Sequence, residues 1–190
     1  MEIILASASP RRQQLLDQIN IRYHVVPIDV DESPQENESA IELVQRLARL
    51  KAETAWQQSD KKLPVLGADT LGVIEGNLLV KPIDYADAKR MLSQMSNNWH
   101  EILSAVALCS AQGTEVVLSI SRVLFRTIST AEIRAYWQSG EPVDKAGAYA
   151  IQGQGAIFVA RIEGSYSGVM GLPLCETHQL LEQQRLESGG

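Results

Sequence analysis

Apolar positions along the chain switch between short runs and helical spacing. Residues 2–7 (EIILAS) form an apolar run closing on small residues, and SPRRQQLLDQI then sets Leu15, Leu16 and Ile19 one helical turn apart. The pattern predicts strand, turn, helix, with Ser9 suited to the N-cap and Pro10 to the first helical position, where its missing N–H is not needed. YHVVPID predicts a second strand and DESPQENE a polar loop. A long helix follows, opening on a capping box from Ser39 to Glu42 and carrying Ile41, Leu43, Val44, Leu47, Ala48 and Leu50 through to Ala55.

PVLGADT predicts a buried strand that ends in small residues and one carboxylate, and LGVIEGNLLV turns over at Glu75-Gly76-Asn77 as a hairpin. Asp84 caps a helix with Ala88, Met91, Leu92 and Met95 on its apolar face. HEILSAVALCS and EVVLSISRVLF predict two strands flanking a turn at Ala111-Gln112-Gly113. TAEIRAYWQSG is a helix ended by Gly140, GAIFVARIEG a strand and LPLCETHQLLEQQRL a closing amphipathic helix, with Gly189 and Gly190 a frayed end. Helices and strands alternate at both ends around a strand-rich centre, so the expected class is α/β, a mixed twisted sheet with flanking helices rather than a doubly wound one.

Length and composition narrow the function classes. A chain of 190 residues suits one domain, 1–190, or two closely packed lobes of it. No apolar run approaches the roughly 20 residues of a membrane helix. The start of the chain lacks the pattern of a secretory signal, so a cytoplasmic protein is expected. A net charge of −6 argues against a general nucleic-acid binder. Cys109 and Cys175, both in apolar stretches, read as reduced core thiols, and His24, His100 and His178 read as structural because none pairs by spacing with a metal-ligating residue.

Four stretches offer chemistry. SASPRR puts Ser7, Ser9, Arg11 and Arg12 at a helix start, where free N–H groups already make the surroundings positive. Two arginines there are unfavourable for the helix unless they serve an anion, and a triphosphate is the natural candidate; solvated surface charge is the plainer alternative. GADT puts Asp69 at an expected strand end behind Gly67 and Ala68, too small to block a ligand, where it would hold a metal, act as a base or merely cap a turn. IDVDES gives Asp29, Asp31 and Glu32, an acidic cluster that would share a divalent cation with Asp69 or else be a solvated loop. EPVDKAGAYAIQGQGA is too poor in side chains for a packed helix or strand, and lets a ligand lie against backbone while the Gln152 amide reads a base edge. Lys51 and Lys81 are each individually ordinary surface lysines.

SASPRR, GADT, KP and EPVDKAGAYAIQG, in this order and spacing, resemble the Maf family of nucleoside triphosphate pyrophosphatases over nearly the whole chain. The resemblance implies an elongated, two-lobed fold like that of inosine triphosphate pyrophosphatases, with a central cleft, a divalent metal (Mg²⁺ or Mn²⁺) and a homodimer. The implied reaction is hydrolysis between the α- and β-phosphates. Arg11, Thr70 and Gln152 match the branch acting on dTTP and UTP, with CTP a further candidate; a sister branch acting on 7-methyl-GTP has tryptophan, glutamine and glutamate there. The implied catalytic residues are Asp69 and Lys81, and the implied metal ligands Glu32 and Asp69. The implied substrate-binding set is Ser7, Ser9, Arg11, Arg12, Lys51, Thr70, Lys145 and Gln152. The chain departs from the family pattern at Asn97, Asn98 and Ser104, where glycine and threonine are usual, and at Ala150, where Ala-Tyr-Gly is usual. Two other functions fit the resemblance: a nucleotide-binding regulator of septum formation with little catalysis, and a hydrolase that clears modified nucleotides.

Overall fold

The computed structural model describes residues 2–188, and the expected frayed end at Gly189 and Gly190 lies outside them. The strands are β1 (Glu2–Leu5), β2 (Arg22–Val25), β3 (Val65–Ile74), β4 (Asn77–Leu79), β5 (Trp99–Ser110), β6 (Gly113–Phe125) and β7 (Val159–Glu163). The α-helices are α1 (Pro10–Gln18), α2 (Ala40–Gln58), α3 (Tyr85–Met95), α4 (Thr130–Gln138), α5 (Tyr166–Met170) and α6 (Leu174–Ser188). Seven strands form one sheet in the order β2-β1-β3-β5-β6-β7, with β4 paired to β3 off that path. Pairing of β1 with β2 and with β3 is parallel, and that of β3 with β4 and of β6 with β7 antiparallel, so the sheet is mixed as expected.

Two compact units share the chain. The first comprises Met1–Thr70, Ser104–Ser119 and Gly171–Gly190, and the second Leu71–Leu103 and Ile120–Met170. In the first unit Ile3 and Leu5 of β1, Leu15 and Leu16 of α1, Val44, Leu47, Ala48 and Ala52 of α2, and Leu180 and Leu181 of α6 are buried. Burial of each Leu or Ile is worth about 1.5–3 kcal/mol, which stabilises the packing of these elements. The second unit closes on Met91, Leu92, Phe125, Ile133, Tyr149 and Phe158. There the rings of Phe125, Tyr149 and His100 meet edge to face at 4.8–5.4 Å.

Local sequence explains several element ends. Ser39 and Glu42 close a capping box on α2, with the Ser39 amide donating to Glu42 Oε2 at 2.8 Å, and Ser129 and Glu132 do the same on α4. Asp84 accepts the Asp87 amide at 2.9 Å to start α3. The β3–β4 hairpin turns on Glu75 and Gly76, both at positive φ (50° and 78°), the geometry that keeps the twist of a two-residue hairpin.

Several expectations are corrected. The first strand stops at Leu5 and the second at Val25 rather than running to Ser7 and Asp29. Gly155–Phe158 belongs to a 3-10 turn (Gln154–Phe158) that precedes β7; Gly155 and Phe158 are buried and the two residues between them exposed, a period of three that a strand does not have. EPVDKAGAYAIQGQGA is a run of short 3-10 turns whose residues 147–151 are buried, so this segment supplies core as well as surface. The short helix α5 was not anticipated. Cys109 is buried but Cys175 is exposed, because α6 turns Thr177, Leu180, Leu181 and Gln184 inward instead. His24 and His178 are exposed, and only His100 is a core residue.

Candidate active site

Strand β3 does not end at GADT. It runs on through Ile74 to pair with β4, so Asp69 lies mid-strand. Side chains alternate across a strand, so Gly67 and Asp69 face the same side, and that side carries α2. A side chain at Gly67 would collide with the backbone of Ala48 and Ala52. The glycine therefore makes room for the helix rather than for a ligand, and this close approach brings Lys51 of α2 onto Asp69.

Lys51 Nζ lies 2.7 Å from Asp69 Oδ1 and 2.5 Å from Glu32 Oε1. Lys51 and Asp69 are each 8% exposed, whereas Glu32 is exposed on the loop after β2. An ammonium inside this enclosure needs a partner, because an isolated buried charge loses its hydration without return. Asp31 turns away to accept the Ser33 amide at 2.9 Å. Among the described residues no three His, Cys, Asp or Glu side chains come together as a metal cluster, so the shared site expected of Asp29, Asp31, Glu32 and Asp69 reduces to Glu32 and Asp69. These two do fit a divalent cation: Lys51 already holds a positive charge between them. Two carboxylates with water or phosphate oxygens form the donor set that Mg²⁺ and Mn²⁺ take.

Helix α1 starts as expected, with Ser9 at the N-cap and Pro10 first, but the Ser9 side chain makes no capping bond. The Ser9 amide donates instead to Ser7 Oγ at 3.2 Å, and Arg12 Nη1 donates to the same oxygen at 3.1 Å. Arg12 Nε donates to the Gly171 carbonyl at 2.9 Å, and Nη2 has no partner among the described residues. Burial pulls the Arg12 guanidinium below its usual pKa; nearby Asp69 opposes that, Arg11 adds to it and Glu32 again opposes it. Arg11 is exposed.

Thr70 accompanies this group. Its hydroxyl lies 3.0 Å from Ser104 Oγ and 3.4 Å from the Gly171 carbonyl that also holds Arg12. Gly171 is at φ 119°, a conformation that favours glycine. Gly171 and Ser104 were not read as site residues, and Ser104 stands at one of the places where the chain departs from the Maf pattern. The first unit thus brings together Ser7, Arg12, Glu32, Lys51, Asp69 and Thr70.

Lys81, Lys145 and Gln152 belong to the second unit. Lys81 is exposed just after β4, and Lys145 pairs with Asp144. The Gly147 amide donates to the Val80 carbonyl at 3.0 Å, which ties the loop of Lys145 to the segment of Lys81. Gln152 is exposed in a turn whose neighbours fold around Glu141, a residue that the sequence reading passed over. Glu141 accepts the Tyr136 hydroxyl at 2.6 Å and the amides of Gln154 and Gly155 at 2.8 and 3.0 Å.

An α/β protein with a fixed arginine, a buried lysine and a carboxylate on one strand has the features of an enzyme that handles anionic substrates. A family model described as Maf-like protein matches residues 2–184, and the chain belongs to the Maf family. It is 48% identical over 183 residues to a dTTP/UTP pyrophosphatase of Hahella chejuensis, covering 95% of this chain and 91% of that protein. It is 47% identical over 186 residues to a dTTP/UTP pyrophosphatase of Aliivibrio fischeri, covering 96% and 97%. Among solved structures, a nucleoside-triphosphatase / dITP/XTP pyrophosphatase from Mycobacterium abscessus aligns with TM-score 0.47 and 18% identity over 67% of this chain and 76% of that one. Among the described residues no helix is long and apolar enough to cross a membrane.

Proposed function

We propose that the chain is a nucleoside triphosphate pyrophosphatase that converts dTTP and UTP, with water, into the nucleoside monophosphate and pyrophosphate. The observation that carries this reading is the Asp69 carboxylate held on the Lys51 ammonium beside a guanidinium fixed by Gly171. Names of relatives matched over almost their whole length give the substrates.

Water attack at the α-phosphorus is opposed by the negative oxygens around it, so the protein must supply positive charge and an oriented nucleophile. Arg12 presents Nη2 to the phosphates while its other two nitrogens hold it in place. Lys51, Arg11, Lys81 and Lys145 add charge along the triphosphate, and the hydroxyls of Ser7 and Ser9 donate to its oxygens. Asp69 receives the proton of the attacking water, or serves instead as a metal ligand. Glu32 and Asp69 would hold the divalent cation, Mg²⁺ or Mn²⁺, which when bound neutralises phosphate charge as a Lewis acid. Arg11, Thr70 and Gln152 select the pyrimidine. The working protein is a cytoplasmic homodimer in which residues 1–190 act as one domain.

The test is pyrophosphate release from dTTP, UTP, CTP, GTP, ATP and 7-methyl-GTP with Mg²⁺ or Mn²⁺, beside an Asp69→Asn control. Release from dTTP and UTP that is lost in the control supports the reading. Binding of dTTP without turnover in the wild type would transfer the protein to the regulatory class.

A further inference from the structure

Gln152 is exposed and its amide has no partner among the described residues, so nothing it touches fixes it; what fixes it is the backbone on either side. That backbone is wrapped on one carboxylate. Glu141 Oε1 accepts the Tyr136 hydroxyl (2.6 Å) and the Gly155 amide (3.0 Å), and Oε2 accepts the Gln154 amide (2.8 Å). The Tyr136 oxygen in turn accepts the Ala150 amide at 3.2 Å, so the pair holds the chain on both sides of Gln152. Glycine at 153 is required for this: a β-carbon there would lie 2.3 Å from Glu141 Oε2. At Gly155 it would lie 2.7 Å from the Tyr136 hydroxyl oxygen. The two glycines of IQGQG thus admit the carboxylate and the phenol rather than a ligand.

We infer that Glu141 is a positioning residue for base selection, acting through the turn of residues 150–155 to hold Gln152 where it reads the pyrimidine. The inference rests on the proposed role of Gln152. The carboxylate faces three donors and offers acceptors only, which an amide cannot match: with one oxygen and one NH₂, Glu141→Gln sets a donor against a donor. Burial by itself raises the Glu141 pKa, but the Tyr136 hydroxyl and the Gly155 and Gln154 amides outweigh it and leave the carboxyl below its usual value, ionised at neutral pH. Turning one bond into a repulsion and stripping the other two of their charge assistance loosens the turn without touching the phosphates or the attacking water.

The experiment is a double-mutant cycle of Glu141→Gln and Gln152→Ala, with steady-state kinetics on dTTP, UTP and GTP and a melting curve for each variant. Glu141→Gln is expected to raise KM for dTTP roughly tenfold and narrow the preference over GTP, with kcat within about twofold of wild type. In the Gln152→Ala background it should do almost nothing further, because the residue it acts through is gone. Tyr136→Phe, which removes only the hydroxyl, should show the same pattern at smaller size and replaces Glu141→Gln if that variant does not fold. If Gln152→Ala alters the preference while Glu141→Gln and Tyr136→Phe leave it unchanged, the inference is overturned with the proposed function intact; additive effects overturn it equally. If wild type does not cleave dTTP or UTP, or Gln152→Ala has no effect, the base-reading role itself fails and this inference falls with it.

Discussion

Gly67 of β3 stands so close to Ala48 of α2 that a β-carbon added to it would lie 2.4 Å from the Ala48 carbonyl oxygen and 2.6 Å from the Ala52 amide nitrogen. Backbone cannot yield as a flexible side-chain tip would, so Gly67→Ala must push helix and strand apart. It is expected to cost roughly 2–3 kcal/mol in urea unfolding and to lower activity, since α2 carries Lys51. Stability within 0.5 kcal/mol of wild type would show that the helix can retreat without penalty.

Removing one member of a buried ion pair leaves the other charged and unpaired. The side chains of Lys51 and Asp69 are only 10% and 11% exposed, so Lys51→Met should destabilise by about 2–4 kcal/mol. Glu32 is 61% exposed and screened by water, so Glu32→Gln should change unfolding by less than about 1 kcal/mol. Thermal denaturation of the two variants side by side checks the contrast, and equal losses would contradict it.

The two serine caps differ although both sit at helix starts. Ser39 accepts the Glu42 amide, and Ser39→Ala is expected to cost about 1 kcal/mol. Ser9 makes no side-chain capping bond, so Ser9→Ala should leave stability unchanged while raising KM for the triphosphate. Chemical denaturation and kinetics on the same preparations separate the two roles.

His100 gives stability a pH dependence of known sign. Its Nε2 meets the Tyr149 hydroxyl at 2.8 Å, its Nδ1 is buried without a partner among the described residues, and burial lowers its pKa from 6.5 to about 4. The unfolded chain takes up a proton near pH 6.5 that the folded chain refuses until about pH 4. The contribution is therefore full above pH 6.5 and is lost as pH falls toward 4, to a total of about 3 kcal/mol. Unfolding free energies between pH 7.5 and 4.5 should fall more steeply for wild type than for His100→Phe. Parallel slopes would rule out His100 as the source.

What was legible in the sequence was local. Ser39 with Glu42, Asp84 at the start of α3 and the Glu75-Gly76 turn signal within four residues, because caps and tight turns are closed by near neighbours. The candidate site residues Arg12, Lys51 and Asp69 were legible as types, and the family resemblance gave their order, but the contacts that fix them were not. Thr70 meets Ser104 across 34 positions and the Gly171 carbonyl across 101, and no periodicity announces such partners. Gly67 was visible as a small residue, yet small residues admit a ligand or a helix equally, and only the packing of α2 decides between them. Glu141 was passed over for the same reason: its amide partners lie 13 and 14 positions on, in a loop whose fold depends on it.

Arg12 is synthesised 159 residues before Gly171, whose carbonyl fixes its guanidinium. The ribosome must add all of those residues before the arginine has its hold. A nascent polypeptide that has not yet reached Gly171 carries Arg12, Lys51 and Asp69 without this brace, so the order of synthesis puts the fixing of the guanidinium after the making of all three.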